Sequence, residues 1–292
     1  MSITIQELTP GFVGEVSGID ITQPLTKAQA AEIEAGMDRY AVLIYHDQRF
    51  TDDQQKAFSL NFGALEDTAS ATIVTGRRLD ADMADVSNLG VDHKPLARDD
   101  RRRLFNLGNQ LWHSDSSFKA VPAKFSLLSG RIVVDAGGNT EFADMRAAYD
   151  ALDDRTKAEV EDLVCEHSLI YSRGLLGFTD ITDEERATFK PVRQRLVRVH
   201  PATGRKSLYL SSHIGTIIGW PMPEARAFIR DLTEHAVQPR FTYSHKWRQF
   251  DLVMWDNRST MHRVRRFDET KVRDMRRTTV AGDRSTVEQL AA

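Results

Sequence analysis

The chain has 292 residues, 41% hydrophobic and 28% charged, an ordinary globular composition that excludes intrinsic disorder, collagen-like repeats and a coiled coil as whole-chain readings. Its 39 lysines and arginines meet 42 aspartates and glutamates, for a formal net charge of −3, so no strong field draws it to nucleic acid or an anionic membrane. No stretch approaches the roughly 18 apolar residues of a bilayer span.

Met1-Ser-Ile-Thr-Ile5 has neither the basic nor the apolar part of a signal peptide, so none is expected. The single cysteine, Cys165, forbids an internal disulfide and fits a reducing, cytoplasmic compartment. It reads as a buried packing residue within a helix.

Two capping boxes open the helices of the first 65 residues: Thr26-Lys-Ala-Gln29 and Thr51-Asp-Asp-Gln54 each set a threonine three residues before a glutamine. Ile33, Met37 and Tyr40 share one helical face, Phe58 and Phe62 another, and Gly63 is placed to stop the second helix. Between them, residues 41–45 predict a buried strand. Residues 67–108 are polar, with a run Arg98-Asp-Asp-Arg-Arg-Arg103, and read as a mobile loop or lid. Residues 125–128 and 131–134 predict strands, 135–139 a turn and 140–143 a strand. Asp144 caps a helix over 145–152, and Asp153 a longer one ending near Glu166. A mixed, charged insertion covers 172–193. Strands at 196–200 and 207–211, a helix at 223–236, and strands at 241–245, 252–255 and 273–280 follow, with a loose tail at 283–292. Many short strands with helices outside predict a mainly β fold with flanking helices, a sandwich or a barrel.

Phosphate-loop, dinucleotide-binding, serine-elbow, zinc-protease and C-x-x-C patterns are all absent. What remains is Leu111-Trp-His-Ser-Asp-Ser-Ser-Phe118. His113 and Asp115, two apart in a strand-like context, leave one face. They supply two of the three ligands of a 2-His-1-carboxylate iron site, although a lone H-x-D is also compatible with a structural role. The segment Leu252-Val-Met-Trp-Asp-Asn-Arg-Ser-Thr-Met-His262 adds a histidine shortly after a buried strand. In the strand 273–280, Arg273, Met275 and Arg277 share one face and Asp274 and Arg276 the other. Inward arginines imply anions to be held; a salt-bridged outer face is the other reading. His167, His200, His213 and His245 read as hydrogen-bonded scaffold. Trp112 and Trp255 read as walls that keep the site dry.

Three separated segments, Asn109-Gln-Leu-Trp-His-Ser-Asp-Ser-Ser-Phe118, Gly137-Gly-Asn-Thr-Glu-Phe-Ala-Asp-Met-Arg-Ala-Ala-Tyr-Asp150 and Val253-Met-Trp-Asp-Asn-Arg258, make the chain resemble the Fe(II)/2-oxoglutarate-dependent taurine dioxygenase family. Within it the chain is most similar to the 2,4-dichlorophenoxyacetate (2,4-D) dioxygenases and their alpha subclass. The resemblance covers nearly the whole chain and implies a single dioxygenase domain, 1–292, with a double-stranded β-helix (jelly roll) core. It implies an iron site of His113, Asp115 and His262, and a 2-oxoglutarate site in which Thr140 and Arg273 hold the distal carboxylate. Arg277 would hold the substrate carboxylate, with Asn109, the Ser116 backbone amide and Lys94 nearby, and His200 and His213, which match histidines of the herbicide enzymes, would have a pocket-lining role open to them. Dioxygen is the co-reactant, a phenoxyalkanoate the small-molecule substrate, and a homo-oligomer the expected assembly, without nucleic acid or membrane. Hydroxylation of taurine or another alkylsulfonate, and a non-catalytic 2-oxoglutarate sensor, are the alternatives.

Overall fold

A computed structural model describes residues 3–68 and 77–288. The chain begins with a hairpin, β1 (Thr4–Thr9) and β2 (Val13–Ser17), followed by α1 (Lys27–Tyr40), β3 (Val42–Tyr45) and α2 (Asp52–Leu60). Both predicted capping boxes form, each with the threonine hydroxyl on the backbone amide of the glutamine and the glutamine side chain returning to the cap. Ala41 closes α1 in the left-handed region, which is why β3 starts at Val42. Helix α2 stops at Leu60, before Gly63, because the Asn61 side chain donates to the Ala57 and Phe58 carbonyls.

Of the loop expected over 67–108, residues 69–76 lie outside the described residues. The remainder carries β4 (Ala84–Asp85), α3 (Arg101–Asn106) and a 3-10 turn over Leu107–Gln110. The two strands expected at 125–128 and 131–134 are one, β5 (Ala123–Ile132). It lies between two partners over most of its length, and Gly130 continues the ladder by exchanging hydrogen bonds with residues 250 and 251. After β6 (Thr140–Asp144) and α4 (Met145–Asp150), capped by Asp144, comes α5 (Asp154–Val160), much shorter than predicted. The chain turns there into β7 (Val164–His167), so Cys165 is on a strand, not a helix. It is buried as expected, and burial pushes its thiol up to about 12.

The predicted insertion holds the end of α6 (Leu169–Gly174) and α7 (Asp183–Thr188), the latter opened by an unpredicted capping box, Thr182 with Glu185. There follow β8 (Val192–Arg195), β9 (Val197–Val199), β10 (Lys206–Leu208), β11 (Ile214–Ile217), α8 (Met222–Ala236), β12 (Thr242–His245), β13 (Leu252–Asp256), β14 (Thr260–Val264) and β15 (Asp274–Ala281). The described part of the tail is anchored, not loose. Thr286 is buried and its hydroxyl accepts the Arg195 amide at 2.9 Å.

The main sheet has seven strands in the order β1-β2-β3-β13-β5-β15-β4, and a three-stranded sheet runs β12-β6-β14. Phe142 of β6 and Trp255 of β13 are buried in one cluster, their rings 5.5 Å apart, so the two sheets share a core at this point. Two smaller sheets, β11-β7-β8 and β10-β9, complete the strands. No described helix is long and apolar enough to cross a membrane.

Asp251, fully buried just before β13, holds this region together. Its carboxylate accepts from His46 Nδ1 (2.6 Å), His245 Nε2 (3.0 Å) and the Arg248 amide (2.8 Å). Burial works to raise the carboxyl, but the hydrogen bonds overcome it and hold its pKa at about 2. A depressed carboxyl contributes stability that is full above the usual carboxylate range and is lost as pH falls through about 2. Asp251→Ala is expected to cost about 3 kcal/mol at neutral pH, because it strands two imidazoles. Urea unfolding of the two proteins at pH 7 and pH 3 measures it, and the gap should narrow at the lower pH.

Candidate active site

His113 follows the 3-10 turn, and its backbone pairs with that of His262 on β14: each amide donates to the other's carbonyl, at 3.0 and 2.8 Å. This exchange brings the two rings to 4.2 Å between centroids. His262 therefore lies on a strand of its own, where the sequence reading left it after one. Asp115 completes the group. Its carboxylate oxygens stand 3.8 Å from His113 Nε2 and 3.7 Å from His262 Nε2. All three residues are buried, and one ligand atom from each lies within 4.8 Å of the others.

The protonation pattern suits a metal. His113 Nδ1 is 2.7 Å from the Leu111 carbonyl, which only accepts, so this nitrogen carries the proton and Nε2 keeps its lone pair. Burial lowers both histidines below their ordinary range, favouring neutral imidazole. Burial would raise Asp115, but the Arg277 guanidinium beside it holds it ionised. Ser126 Oγ donates to Asp115 Oδ2 (2.7 Å) and accepts from Asn257 Nδ2 (2.9 Å), while Asn257 Oδ1 accepts the Asp115 amide (3.1 Å) and Trp255 Nε1 (3.0 Å). The carboxylate is thus oriented from behind by a relay across β5 and β13. Trp255, fully buried, packs 4.6 Å from the His262 ring and forms the dry wall expected of it.

Both readings of the arginine strand are realised. Arg276 and Asp274 join Arg78, Asp85 and Asp52 in a salt-bridged cluster. Arg273 and Arg277 turn to the interior. The Arg277 guanidinium is hydrogen-bonded to Asp115 Oδ1. Arg273 is only 4% exposed. It reaches just the Val86 and Gly138 carbonyls, at 3.5 and 3.4 Å, and the Phe267 ring, with no salt-bridge partner among the described residues. Burial pushes its pKa down to about 10, with Glu269 acting against it, so it stays charged at neutral pH without a directly paired carboxylate among the described residues. Gly138, two residues before Thr140, lies against it: a Cβ there would stand 3.4 Å from Arg273 Nε. The buried Thr140 hydroxyl accepts from Trp247 Nε1 (3.0 Å) and retains its own proton to donate.

A cavity of about 140 Å³ opens on this group, lined by His113 and Asp115 together with Asn109, Ser116, His213 and Arg277. Its apolar wall comes from Phe105, Phe118 and Leu169. Arg273 lines a smaller neighbouring space, with Asn109 on the wall of both. Sequence reasoning missed Arg173, which also lines the main cavity, and the Ser126–Asn257 relay.

A profile of the taurine catabolism dioxygenase TauD, TfdA family matches residues 4–279. The chain belongs to that family. Among TauD/TfdA relatives it is 43% identical to an alpha-ketoglutarate-dependent 2,4-dichlorophenoxyacetate dioxygenase of Burkholderia sp. (strain RASC), over 97% of this chain and 96% of that one. It is 37% identical to an (S)-phenoxypropionate/alpha-ketoglutarate-dioxygenase of Sphingobium herbicidovorans, over 98% of each. A crystal structure of AAD-2 in complex with Mn(II) and N-oxalylglycine superposes with a TM-score of 0.96 at 64% identity, covering 98% of this chain and 100% of the other.

Of the residues assigned through the TauD/TfdA likeness, Arg273 faces the neighbouring space, Thr140 lines neither that space nor the main cavity, and two more also lie away from the main cavity. Lys94 is exposed, in a turn where its amide meets the Asp92 side chain (3.2 Å), and it does not line the main cavity. His200 is not a pocket residue either: it is buried against Asp256, 3.1 Å away, as scaffold. His213 does line the cavity, with Nδ1 2.9 Å from Ser172 Oγ.

Proposed function

We propose that the chain is a non-haem Fe(II), 2-oxoglutarate-dependent dioxygenase that hydroxylates the carbon next to the ether oxygen of a phenoxyalkanoate such as 2,4-D. The carrying observation is the buried His113–Asp115–His262 group, whose ligand atoms lie within 4.8 Å of one another beside a cavity lined by His113 and Asp115. The donor set fits iron: two neutral imidazoles and one carboxylate leave coordination positions open. Bound there with 2-oxoglutarate and dioxygen, iron supplies the oxidation of a C–H bond.

The chain's own residues supply position and charge. Arg273, a buried cation without a directly paired carboxylate among the described residues, takes the distal carboxylate of 2-oxoglutarate, and Thr140 donates its hydroxyl proton to the same group. Arg277 takes the substrate carboxylate, with Asn109 and the Ser116 amide at its side. Phe105, Phe118 and Leu169 face the aromatic ring. Hydroxylation next to the ether oxygen gives a hemiacetal, which collapses to a phenol and glyoxylate, while 2-oxoglutarate leaves as succinate and carbon dioxide. The substrate class rests on the likeness to the phenoxyalkanoate enzymes. The same reading takes 1–292 as one catalytic domain, the β12-β6-β14 and main sheets as the two walls of a jelly roll, and the chain as a cytoplasmic homo-oligomer, supported by family likeness and the lone cysteine.

The relay behind Asp115 makes a separate expectation. Ser126→Ala should weaken metal binding about 10- to 100-fold, because an unsupported carboxylate loses its orientation. Mn(II) titration followed by calorimetry measures it, with the fold unchanged by circular dichroism.

The proposal is tested with purified protein, Fe(II), 2-oxoglutarate and oxygen, following succinate and phenol with 2,4-D, with taurine and with neither. Succinate and phenol should rise together with 2,4-D. Succinate stimulated by taurine alone would move the substrate class to alkylsulfonates, and failure to bind Fe(II) and 2-oxoglutarate would sink the proposal.

A further inference from the structure

Arg173, near the end of α6, has no role in the chemistry assigned so far. Its side chain is buried, with 7% of the residue exposed, and lines the same cavity as His113, Asp115 and Arg277. The guanidinium lies 4.4 Å over the Phe105 ring, and Nη1 donates to Ser172 Oγ at 3.2 Å. Nε has no hydrogen-bond partner, and no carboxylate of the described residues forms a salt bridge with it.

Three of the other cations of the cavity are paired with acids, while the half-buried Arg102 is turned to the Leu89 carbonyl. Arg78 is paired with Asp85 and Asp274, Lys119 with Glu66, and Arg277 with Asp115. A buried guanidinium without an acid is costly unless something else supplies the charge. The guanidinium lies directly against Gly108: a Cβ there would fall 2.3 to 2.7 Å from its atoms, so any side chain at this wall would displace it. Arg173 and Arg277 line the same cavity as His113 and Asp115, so both guanidinium groups belong to one site wall.

We propose that Arg173 binds the oxyanion of the substrate, a carboxylate or a sulfonate, as a second guanidinium acting with Arg277. This rests on the reading of the cavity as a substrate site. A carboxylate has two oxygens and accepts from two guanidinium groups at once. Ser172 also holds His213 Nδ1 at 2.9 Å, so the same serine positions both side chains at the cavity wall.

The test measures binding without turnover. Protein loaded with Mn(II) and 2-oxoglutarate is titrated calorimetrically with phenoxyacetate, with pentane-1-sulfonate and with the neutral phenoxyethanol, for wild type, Arg173→Gln, Arg173→Lys and Gly108→Ala. Arg173→Gln is expected to weaken the bound acid at least tenfold while leaving 2-oxoglutarate and phenoxyethanol within twofold. Arg173→Lys should recover part of the loss. Gly108→Ala, which keeps the charge but displaces it, should weaken the acid too. An unchanged affinity, an equal loss for acid and alcohol, a loss that falls on 2-oxoglutarate, or a wild type that binds neither acid would overturn the proposal. Wild type that binds only the sulfonate would count against the phenoxyalkanoate reading and leave the role of Arg173 to be decided by the same variant.

Discussion

Asp115→Ala is expected to abolish succinate formation and to weaken Mn(II) binding by more than about a hundredfold, beyond the effect of disturbing a residue behind a ligand. The carboxylate is the only acidic member of the His113–Asp115–His262 group. Without it, two neutral imidazoles carry no charge to offset a divalent cation. The substitution also removes the partner of Arg277, so a loss of activity alone would be ambiguous. Metal affinity and stability must therefore be read separately. Calorimetric Mn(II) titration and urea unfolding of the same preparation do this: lost metal binding in a folded protein is the expected result, and retained affinity would remove Asp115 from the site.

Arg273→Gln should raise the 2-oxoglutarate requirement at least about thirtyfold, the scale expected when a buried charge-assisted contact is lost, roughly 2–5 kcal/mol. The effect on stability has the opposite sign from that of an ordinary ion-pair deletion. Arg273 is buried with only two long backbone contacts and an aromatic ring, so the free protein already bears its desolvation cost. The variant without ligand should be no less stable than wild type, while the stabilisation that 2-oxoglutarate confers should disappear. Thermal unfolding with and without 2-oxoglutarate, in the presence of Mn(II), shows both. A variant stabilised by 2-oxoglutarate as strongly as wild type would take Arg273 out of that site.

Signals confined to one segment were legible in the sequence. The threonine–glutamine spacing at 26–29 and 51–54 forms as real capping boxes, because the partners of a cap lie within one turn. The apolar run at 252–255 becomes a central strand for the same local reason. His113, Asp115 and His262 were legible as a motif, and the backbone exchange between residues 113 and 262 makes them a site.

The rest depended on contacts between distant segments. Val164 and Cys165 sit equally well on a helix or on a strand, and only pairing with β8 and β11 decides for β7. Strand β14 carries no apolar run of its own and is defined by its ladder with β6. Ser126 and Asn257 are unremarkable residues until β5 and β13 pair and bring them behind Asp115. Arg173 lies in a stretch read as a charged insertion, and nothing local tells it from a solvated arginine. It lies against Gly108 and Phe105, far away in sequence.

The most direct measurement uses phenoxyacetate carrying two deuterium atoms on the carbon between the ether oxygen and the carboxylate. Incubated with the Fe(II) protein, 2-oxoglutarate and oxygen, it should yield one phenol per succinate, with glyoxylate that keeps a single deuterium, because hydroxylation replaces the other. Phenol formed with both deuterium atoms retained in the two-carbon product, or formed without 2-oxoglutarate consumption, would contradict oxidation at that carbon by the site described.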